Sequence, residues 1–392
     1  MPRRYTSGTS LSATVLRHTG LLISTWGRHP LTKTKTINLA LQGGGAHGAF
    51  TWGVLDHLLG DTRLVIGAIS AASAGAINAV ALAAGLAEGG RAGAKAKLAE
   101  VWRAIHSARV PDLIRFNPFF ASMASSTNVA QVFSPYTFNP MGFDPLRRVL
   151  SDRIDFAKVR AAPVELMIAA TDIETGRARY FTRSEMTIEA VLASACLPTL
   201  HHAVEIDGRA YWDGGFSANP GLVELVKGSS TSDTLIVLLN PTTKSGIPVS
   251  AEEIANETGR LTFNAPFLRD VAVIEAVRES LPRGLARSLG SKSHHLRLVS
   301  HHFHLIEAGR HTRALPAGSK MKPDWGLFTY LHEAGRTEAY KWADTAYADI
   351  GKRSTVDLKA RFLADPLLMP HHEVRLAARA TSSPPPQKSL KG

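Results

Sequence analysis

The sequence predicts an α/β protein with a mostly parallel sheet, chiefly because two strand-to-helix units follow one another near its start. Residues 36–42 form a short apolar run, a glycine-rich stretch follows, and apolar residues at 52–59 then recur at helical spacing. The pattern repeats at once, with a buried strand at 64–69, a turn of small residues and an alanine-rich helix from about Ala76. Two such units in succession imply a parallel sheet.

Further elements continue this pattern along the chain. A helix is predicted around 98–105, and apolar runs at 164–170 and 234–239 predict two more strands. The α/β body is therefore expected over about 35–245. A last amphipathic helix is predicted over 327–347, ahead of a polar, proline-rich end.

Residues 109–143 interrupt the pattern and hold six of the fifteen phenylalanines among proline, asparagine and serine. Loops of this length are usually functional covers or disordered, and so many aromatic residues argue against disorder. Two interpretations stay open for this segment, a lid over an apolar pocket and plain packing against the body.

The composition of the 392 residues, 44% hydrophobic and 20% charged, is that of a globular chain with a sizeable core. The single cysteine, Cys196, excludes an intramolecular disulfide framework and a thiolate-rich metal site. No stretch is apolar over the about 18 residues that a spanning helix needs, and the N-terminus lacks the apolar core of a signal peptide. A cytoplasmic location is expected, with peripheral attachment to a membrane surface as the alternative, and the oligomeric state stays open.

The net charge of +12 lies mostly near the two ends of the chain. Residues 1–55 carry six basic and no acidic residues, and 371–392 carry four basic residues and one acidic residue. Only +3 is left for 56–370, too little for a body-wide basic face that binds a nucleic-acid backbone. No nucleic-acid partner is therefore expected.

Gly43, Gly44 and Gly45 begin the glycine loop between the first strand and the first helix. Backbone N–H groups gather there at the positive end of the helix, so the loop can bind an anion or stabilise an oxyanion. Gly43, Gly45 and Gly48 also satisfy the dinucleotide pattern Gly-x-Gly-x-x-Gly, which wants an acidic residue about 20 residues on. The second strand ends without one, so a nucleotide site is disfavoured.

Ser73 lies at the next strand-to-helix corner, among the small residues of 71–75. Small neighbours are what a nucleophile elbow requires, because the backbone approaches closely there. The hydroxyl would then stand at the start of the next helix, with the amides of Ala74 and of Gly43–Gly45 converging beside it as an oxyanion hole. The pentapeptide alone favours an N-cap serine, and the glycine loop one unit earlier reverses that preference.

Asp213 begins a third block, in which it is followed by Gly214 and Gly215 after a short strand-like stretch. Asp-Gly-Gly alone usually marks only a turn. Here it follows Ser194-Ala195-Cys196-Leu197-Pro198, and the glycine loop and the serine turn precede both. In this order the blocks resemble those of patatin-like phospholipases, over about 37–245, with Asp144-Pro145-Leu146 in a supporting position and weaker similarity to about 345.

The resemblance implies a Rossmann-like three-layer sandwich and a serine acyl hydrolase that acts on a lipid substrate without a cofactor or a metal. By match, Ser73 would be the nucleophile and Asp213 the base that activates it, in a dyad without histidine. The matched oxyanion hole is Gly43, Gly44, Gly45 and Ala74. A fatty-acyl ester of a phospholipid is the favoured substrate.

The expected organisation of the chain has four parts. A basic, flexible extension is expected at 1–35, and the patatin-like catalytic domain at 36–245, including the aromatic segment. A mixed, helical region at 246–370 is expected to pack on the core, and a disordered tail at 371–392 follows.

Two other functions stay open at this level. An esterase with a Ser–His–Asp triad would need a downstream histidine such as His301 or His304. A catalytically inert lipid-binding or regulatory protein could keep the same fold, because Ala71 stands where the family usually has glycine and crowds the elbow. His47 stands where many members have Arg or Lys, so that a positive charge there becomes pH-dependent.

Six histidines lie close together in the sequence between 294 and 311. A metal site is disfavoured, because no compact acid and histidine motif occurs anywhere in the chain. His302 and His304 alternate as on a strand, and exposed polar positions are the expected explanation. Contact with lipid headgroups is the alternative.

Overall fold

The computed structural model describes residues 34–108, 134–281, 294–315 and 317–364. Eight strands form one sheet. They are β1 Lys35–Leu41, β2 Leu64–Ala71, β3 Glu165–Asp172, β4 Ala178–Thr182, β5 Val204–Ile206, β6 Arg209–Asp213, β7 Asp233–Leu238 and β8 His302–Glu307.

The sheet is parallel through its centre and antiparallel at one side. Its strand order is β5-β6-β3-β2-β1-β7-β8, and β4 pairs with β3. The pairs among β3, β2, β1, β7 and β8 are all parallel, whereas β4 and β6 run antiparallel to β3. The carboxyl ends of β1, β2, β3 and β7 therefore meet at one edge, where the loops that follow them come together.

Helices cover both faces of this sheet and complete a three-layer sandwich. They are α1 Gly48–Gly60, α2 Ala74–Ser107, α3 Pro135–Phe138, α4 Pro145–Arg153, α5 Phe156–Arg160, α6 Ile188–Ser194, α7 Leu222–Gly228, α8 Ala251–Ser280, α9 His294–Ser300, α10 Gly309–Thr312 and α11 Trp325–Ala346. The long α2 has non-helical backbone at Gly89 and Gly90, which divides it in two.

Alternating side chains of the central strands build the two cores. Ile37, Leu39 and Leu41 of β1 pack with α1, α2 and α11 on one face. Ile236 and Leu238 of β7 pack with α7 and α8 on the other. Apolar residues on both faces of a strand are the pattern of a parallel sheet covered on both sides, so the predicted α/β fold class is confirmed.

Helices α1 and α11 lie so close together that each needs a glycine at the contact. A Cβ on Gly53 would collide with the carbonyl group of His332, and one on Gly335 would collide with that of Phe50. The contact brings the C-terminal part of the chain directly onto the first helix.

The strands predicted at 36–42, 64–69, 164–170 and 234–239 correspond to β1, β2, β3 and β7. The last helix, predicted at 327–347, corresponds to α11. Strands β4 and β5 are not anticipated by the sequence patterns. Most of the aromatic segment, 109–133, lies outside the described residues, as do 1–33 and 365–392, so the expectations placed on them stay predictions.

His302 and His304 lie on β8, as their alternation predicts, but the expected exposure is wrong, because His302 is half-buried and His304 is buried. His304 is fully buried, with its Nε2 3.1 Å from Asp233 Oδ1 and its Nδ1 2.9 Å from Thr355 Oγ1. His301 is also buried, and its Nε2 lies 2.7 Å from Thr234 Oγ1. Buried polar side chains need hydrogen-bond partners, and the partners of these histidines come from other parts of the chain. The periodicity of the β8 sequence does not reveal them.

Candidate active site

The glycine loop and Ser73 meet because β1 and β2 are parallel neighbours. The loop follows the carboxyl end of β1, and Ser73 follows that of β2. A Cβ built on Gly43 would lie 2.8 Å from Ser73 Cβ and 2.9 Å from the Ala72 carbonyl oxygen. Only glycine permits this approach, so the loop is held directly against the serine corner.

Ser73 adopts the strained backbone of a sharp strand-to-helix turn, with φ 53° and ψ −125°. A non-glycine residue at positive φ persists only where its surroundings hold it. Two contacts do so, because the Ser73 N–H lies 3.1 Å from the Ser194 carbonyl oxygen and 3.0 Å from Ser194 Oγ. Ser73 occupies the N-cap position of α2 but makes no side-chain capping bond, so the N-cap interpretation is not supported.

Asp213 ends β6, opposite Ala170 of β3, and is 1% exposed. Its Oδ1 accepts a 2.7 Å hydrogen bond from the Gly215 N–H. Burial raises the pKa of this carboxyl group to about 7, although hydrogen bonds from Gly215 and from the Ser73 side chain act in the opposite direction. The structure therefore brings Ser73 and Asp213 together, with a carboxyl group that titrates near neutral pH.

The stretch after α6 links the two residues. Ser194 binds the Ser73 amide, and the Cys196 carbonyl oxygen accepts a 2.8 Å hydrogen bond from the Asp213 N–H. This is the 194–198 block that supports the family resemblance, and its role here is to hold both residues in place. Thr171 Oγ1 adds a 2.8 Å hydrogen bond to the Asp213 carbonyl oxygen.

The four proposed oxyanion donors differ in whether their amides are already hydrogen-bonded. The Gly43 N–H donates a 2.7 Å hydrogen bond to Asn219 Oδ1, so the expectation of an available donor there is not met. The amides of Gly44, Gly45 and Ala74 make no hydrogen bond with any described residue. Ala74 is also the first residue of α2, where unpaired amides and the helix dipole favour negative charge.

His47 follows the loop and is buried, with its Nε2 2.8 Å from Ser319 Oγ. Burial, aided by the positive charge of Lys320, lowers the pKa of His47 to about 4. The side chain is therefore neutral at pH 7, and the positive charge considered for this position is absent there.

A cavity of about 630 Å³ opens onto both Ser73 and Asp213. Its walls differ in chemistry. Apolar side chains come mainly from α2 and α4, namely Ile77, Trp102, Ile105, Leu146 and Val149. Basic side chains come from later parts of the chain, namely Lys244, Arg260, Arg313, Lys320 and Lys322.

The histidines of the alternative triad lie at the opposite edge of the sheet. His301 and His304 bind residues at the amino end of β7, whereas Ser73 follows the carboxyl end of β2, and both strands are parallel to β1. Neither histidine can therefore act on Ser73 in this structure. Within the described ranges, no cluster of histidine, cysteine and acidic side chains is arranged to hold a metal ion.

The sequence does not reveal the roles of three further residues of the site. Ser194 and Asn219 lie inside blocks that carry the resemblance, but nothing in their spacing shows that they bind the Ser73 and Gly43 amides. Gln42 is the third, because its Oε1 accepts the amides of Leu239 and Asn240 and so ties the glycine loop to the end of β7.

Comparisons with known proteins bear on the same region. VipD from Legionella pneumophila is a similar solved structure, with 12% identity and a TM-score of 0.38 over 79% of this chain and 67% of that one. A chain of the ExoU–SpcU complex from the type III secretion system of Pseudomonas aeruginosa has 17% identity and a TM-score of 0.22, over 89% and 83%. A search of curated proteins found no match. A family model described as patatin-like phospholipase matches residues 39–226, so the predicted resemblance to that family is confirmed over this part of the chain.

Proposed function

We propose that the protein is a serine acyl hydrolase that cleaves fatty-acyl carboxyl esters of lipids through a Ser73–Asp213 dyad. The main support is the combination of a serine on a strained elbow and a fully buried carboxyl group on the wall of one cavity. The match of residues 39–226 to the patatin-like phospholipase family model supports the lipid substrate.

In the first half of the reaction, the ionised Asp213 accepts the proton of the Ser73 hydroxyl as Oγ attacks the ester carbonyl carbon. The carbonyl oxygen becomes an oxyanion, which the amides of Gly44, Gly45 and Ala74 stabilise. When the tetrahedral intermediate collapses, the alcohol leaves with the proton from Asp213, and the acyl group stays on Ser73.

In the second half, Asp213 accepts a proton from a water molecule, which attacks the acyl-enzyme. The collapse of this intermediate releases the fatty acid and returns the proton to Ser73 Oγ. A pKa of about 7 suits both halves, since the same carboxyl group must accept and then donate a proton near neutral pH.

The test is covalent labelling with a fluorophosphonate, followed by peptide mapping, beside hydrolysis of a chromogenic fatty-acyl ester. Ser73→Ala should abolish labelling and turnover, and Asp213→Asn should lower both at least about 100-fold, the usual lower range for loss of a general base. The matched controls are Ser151→Ala and Asp207→Asn, because both side chains are exposed and asparagine tolerates the positive φ of position 207.

Near-normal turnover in folded Ser73→Ala or Asp213→Asn protein would refute the dyad. An absence of both labelling and turnover in the folded wild-type protein would instead favour the inert lipid-binding alternative, in which Ala71 distorts the elbow. The two results are distinguishable because the second concerns the wild-type chain.

The proposal includes peripheral attachment to the lipid surface that holds the substrate. The loop between β7 and α8 supports it, because Ile247 and Val249 are 87% and 81% exposed and lie close in sequence to Lys244 at the cavity. Exposed apolar side chains beside a basic residue suit insertion among anionic lipids. No helix in the described ranges is long and apolar enough to cross a membrane.

A further inference from the structure

Lys320 is a basic residue on the wall of the active-site cavity. It lies in the 3₁₀ turn Ala317–Met321, and its Nζ donates a 2.6 Å hydrogen bond to the neutral Asn240 Oδ1. No carboxylate of the described residues forms an ion pair with it. Because Lys320 is half-buried, its charge is only partly hydrated, and its one hydrogen bond goes to a neutral amide, so the site points to an anionic ligand that completes it.

The position of Lys320 is fixed by the glycine loop itself. A Cβ on Gly45 would collide with the Lys320 carbonyl oxygen, so the turn rests directly on the loop. Asn240, which accepts the Lys320 hydrogen bond, donates its backbone N–H to the side chain of Gln42, the residue before the loop. The ammonium group is thus carried by the same framework that presents the oxyanion donors.

The charged and titratable groups around Lys320 do not neutralise its positive charge. Arg260 on α8 is the nearby cation, and it is already paired with Glu257 at 2.5 Å. His47 is neutral at pH 7 and its Nδ1 has no partner among the described residues. Lys244 lies 3.9 Å from Glu257, and Arg313 and Lys322 are exposed on the same wall.

We infer that Lys320 forms the centre of an anion subsite that binds the phosphate group of the lipid substrate while its ester lies at Ser73. The inference rests on the proposed function for the identity of that substrate. The apolar wall from α2 and α4 suits the acyl chain, and the basic wall suits a phosphorylated headgroup. Lys320 is then a specificity-determining residue, and Lys244, Arg313 and Lys322 line the exposed part of the same cavity.

Binding can be tested without catalysis, by the thermal stability of the full chain carrying Ser73→Ala in the presence of glycerol 3-phosphate. The phosphate ester should raise Tm, and the further change Lys320→Met should abolish the rise whereas Lys320→Arg should keep it. Lys158→Met on the exposed surface of α5 is the matched control. An undiminished rise in the Lys320→Met variant would overturn the subsite.

A pH series repeats this test by removing the charge of Lys320 while keeping its side chain. Burial, with the charge of Arg260, lowers the pKa of Lys320 to about 8, so the ammonium group is charged at pH 7 and mostly neutral at pH 9. Glycerol 3-phosphate stays ionised over this range. Its half-saturating concentration should therefore increase at least about fivefold from pH 7 to 9, but not in the Lys320→Arg variant, and equal changes in both would contradict the assignment.

Kinetics in mixed micelles then test the substrate class. Lys320→Met should raise KM for phosphatidylglycerol about tenfold or more, and leave kcat/KM for a diacylglycerol of the same acyl chains within about twofold. Equal losses on both lipids would overturn the specificity role. If wild-type protein hydrolyses neither lipid but still shows the Lys320-dependent rise in Tm, the proposed function fails and the anion subsite stands.

Inorganic phosphate separates a headgroup from a free ion. A headgroup subsite should bind glycerol 3-phosphate at a lower half-saturating concentration than inorganic phosphate. Equal values would assign the subsite to free phosphate and overturn the headgroup assignment.

Discussion

The burial of Asp213 determines the pH range in which the proposed base can work. Because burial raises the pKa of its carboxyl group to about 7, the group is largely protonated at pH 5 and cannot accept a proton from Ser73. We expect kcat/KM for a neutral chromogenic ester to fall about tenfold per pH unit below 7 and to level off above about 8. A profile that is flat from pH 5 to 8 would contradict Asp213 as the base.

The same burial makes Asp213 a cost to stability at high pH. Its folded pKa of about 7 lies above the ordinary value of 3.8, so the folded chain holds a proton that the unfolded chain loses between those values. The stability contributed by this proton is present below pH 4, decreases as the pH rises, and is lost above about 7. Asp213→Asn should therefore have a higher Tm than wild type at pH 8, by about 3 °C or more, and the difference should shrink at pH 5.

Calorimetry of the two proteins at both pH values gives the measurement, with Asp207→Asn as the exposed control. A constant difference between pH 5 and 8 would mean that a cause other than the ionisation of Asp213 is responsible. The expected result would identify Asp213 as a residue whose function and stability conflict, as is common for buried catalytic groups.

The contact between helices α1 and α11 depends on glycines that admit no side chain. Gly335→Ala would place a methyl group against the Phe50 carbonyl group, so the helices must separate or shift. Such overpacking typically costs about 1–3 kcal/mol, which predicts a Tm lower by several degrees.

The matched control for this variant is Gly259→Ala within α8. A Cβ on Gly259 meets no atom within 4 Å, and alanine is a better helix former than glycine, so Tm should stay level or rise slightly. If Gly335→Ala behaves like the control, the close approach of α1 and α11 is not a constraint in solution.

Elements with a local signature could be predicted from the sequence. Neighbouring residues alone are enough to recognise the apolar runs of β1, β2, β3 and β7 and the glycine and serine corners after β1 and β2. The parallel order of these strands then brings the glycine loop to Ser73, because both follow carboxyl ends at the same edge of the sheet.

Contacts between distant parts of the chain could not be predicted in this way. Asn219 binds the Gly43 amide across 176 positions, and His304 is buried because Asp233 and Thr355 supply its hydrogen bonds. Whether a polar side chain is exposed or buried depends on such partners, and periodicity within one segment carries no information about them.

The active-site cavity combines residues from two parts of the chain. Ser73, Asp213 and the apolar wall lie within residues 39–226, which match the family model. Arg260, Lys320 and Phe328 line the same cavity from beyond that range. We therefore expect the dyad chemistry to depend on the matched region and the choice of substrate to depend on the later one.

Attachment of the molecule to a lipid surface is expected to have two separable parts. The basic residues of 1–33 and 371–392 would contribute an electrostatic part, which salt screens. Ile247 and Val249 would contribute an apolar part, which salt does not weaken. In 0.5 M salt the Debye length is about 4 Å, so the charges of the two ends are largely screened. In flotation assays with phosphatidylglycerol vesicles, this salt concentration should therefore reduce but not abolish binding of the wild-type chain.

The double variant Ile247→Ser, Val249→Ser should remove the part that survives high salt, because burial of each apolar side chain contributes about 1.5–3 kcal/mol. A tenfold or larger loss of binding at 0.5 M salt is expected. Val65→Ser is the matched control, since Val65 is exposed near the amino end of β2, at the edge of the sheet opposite Ser73. A loss of binding only in the double variant would mean that the cavity mouth faces the bilayer. Equal losses in the double variant and in Val65→Ser would mean that the protein does not bind in the orientation that delivers a lipid to the cavity.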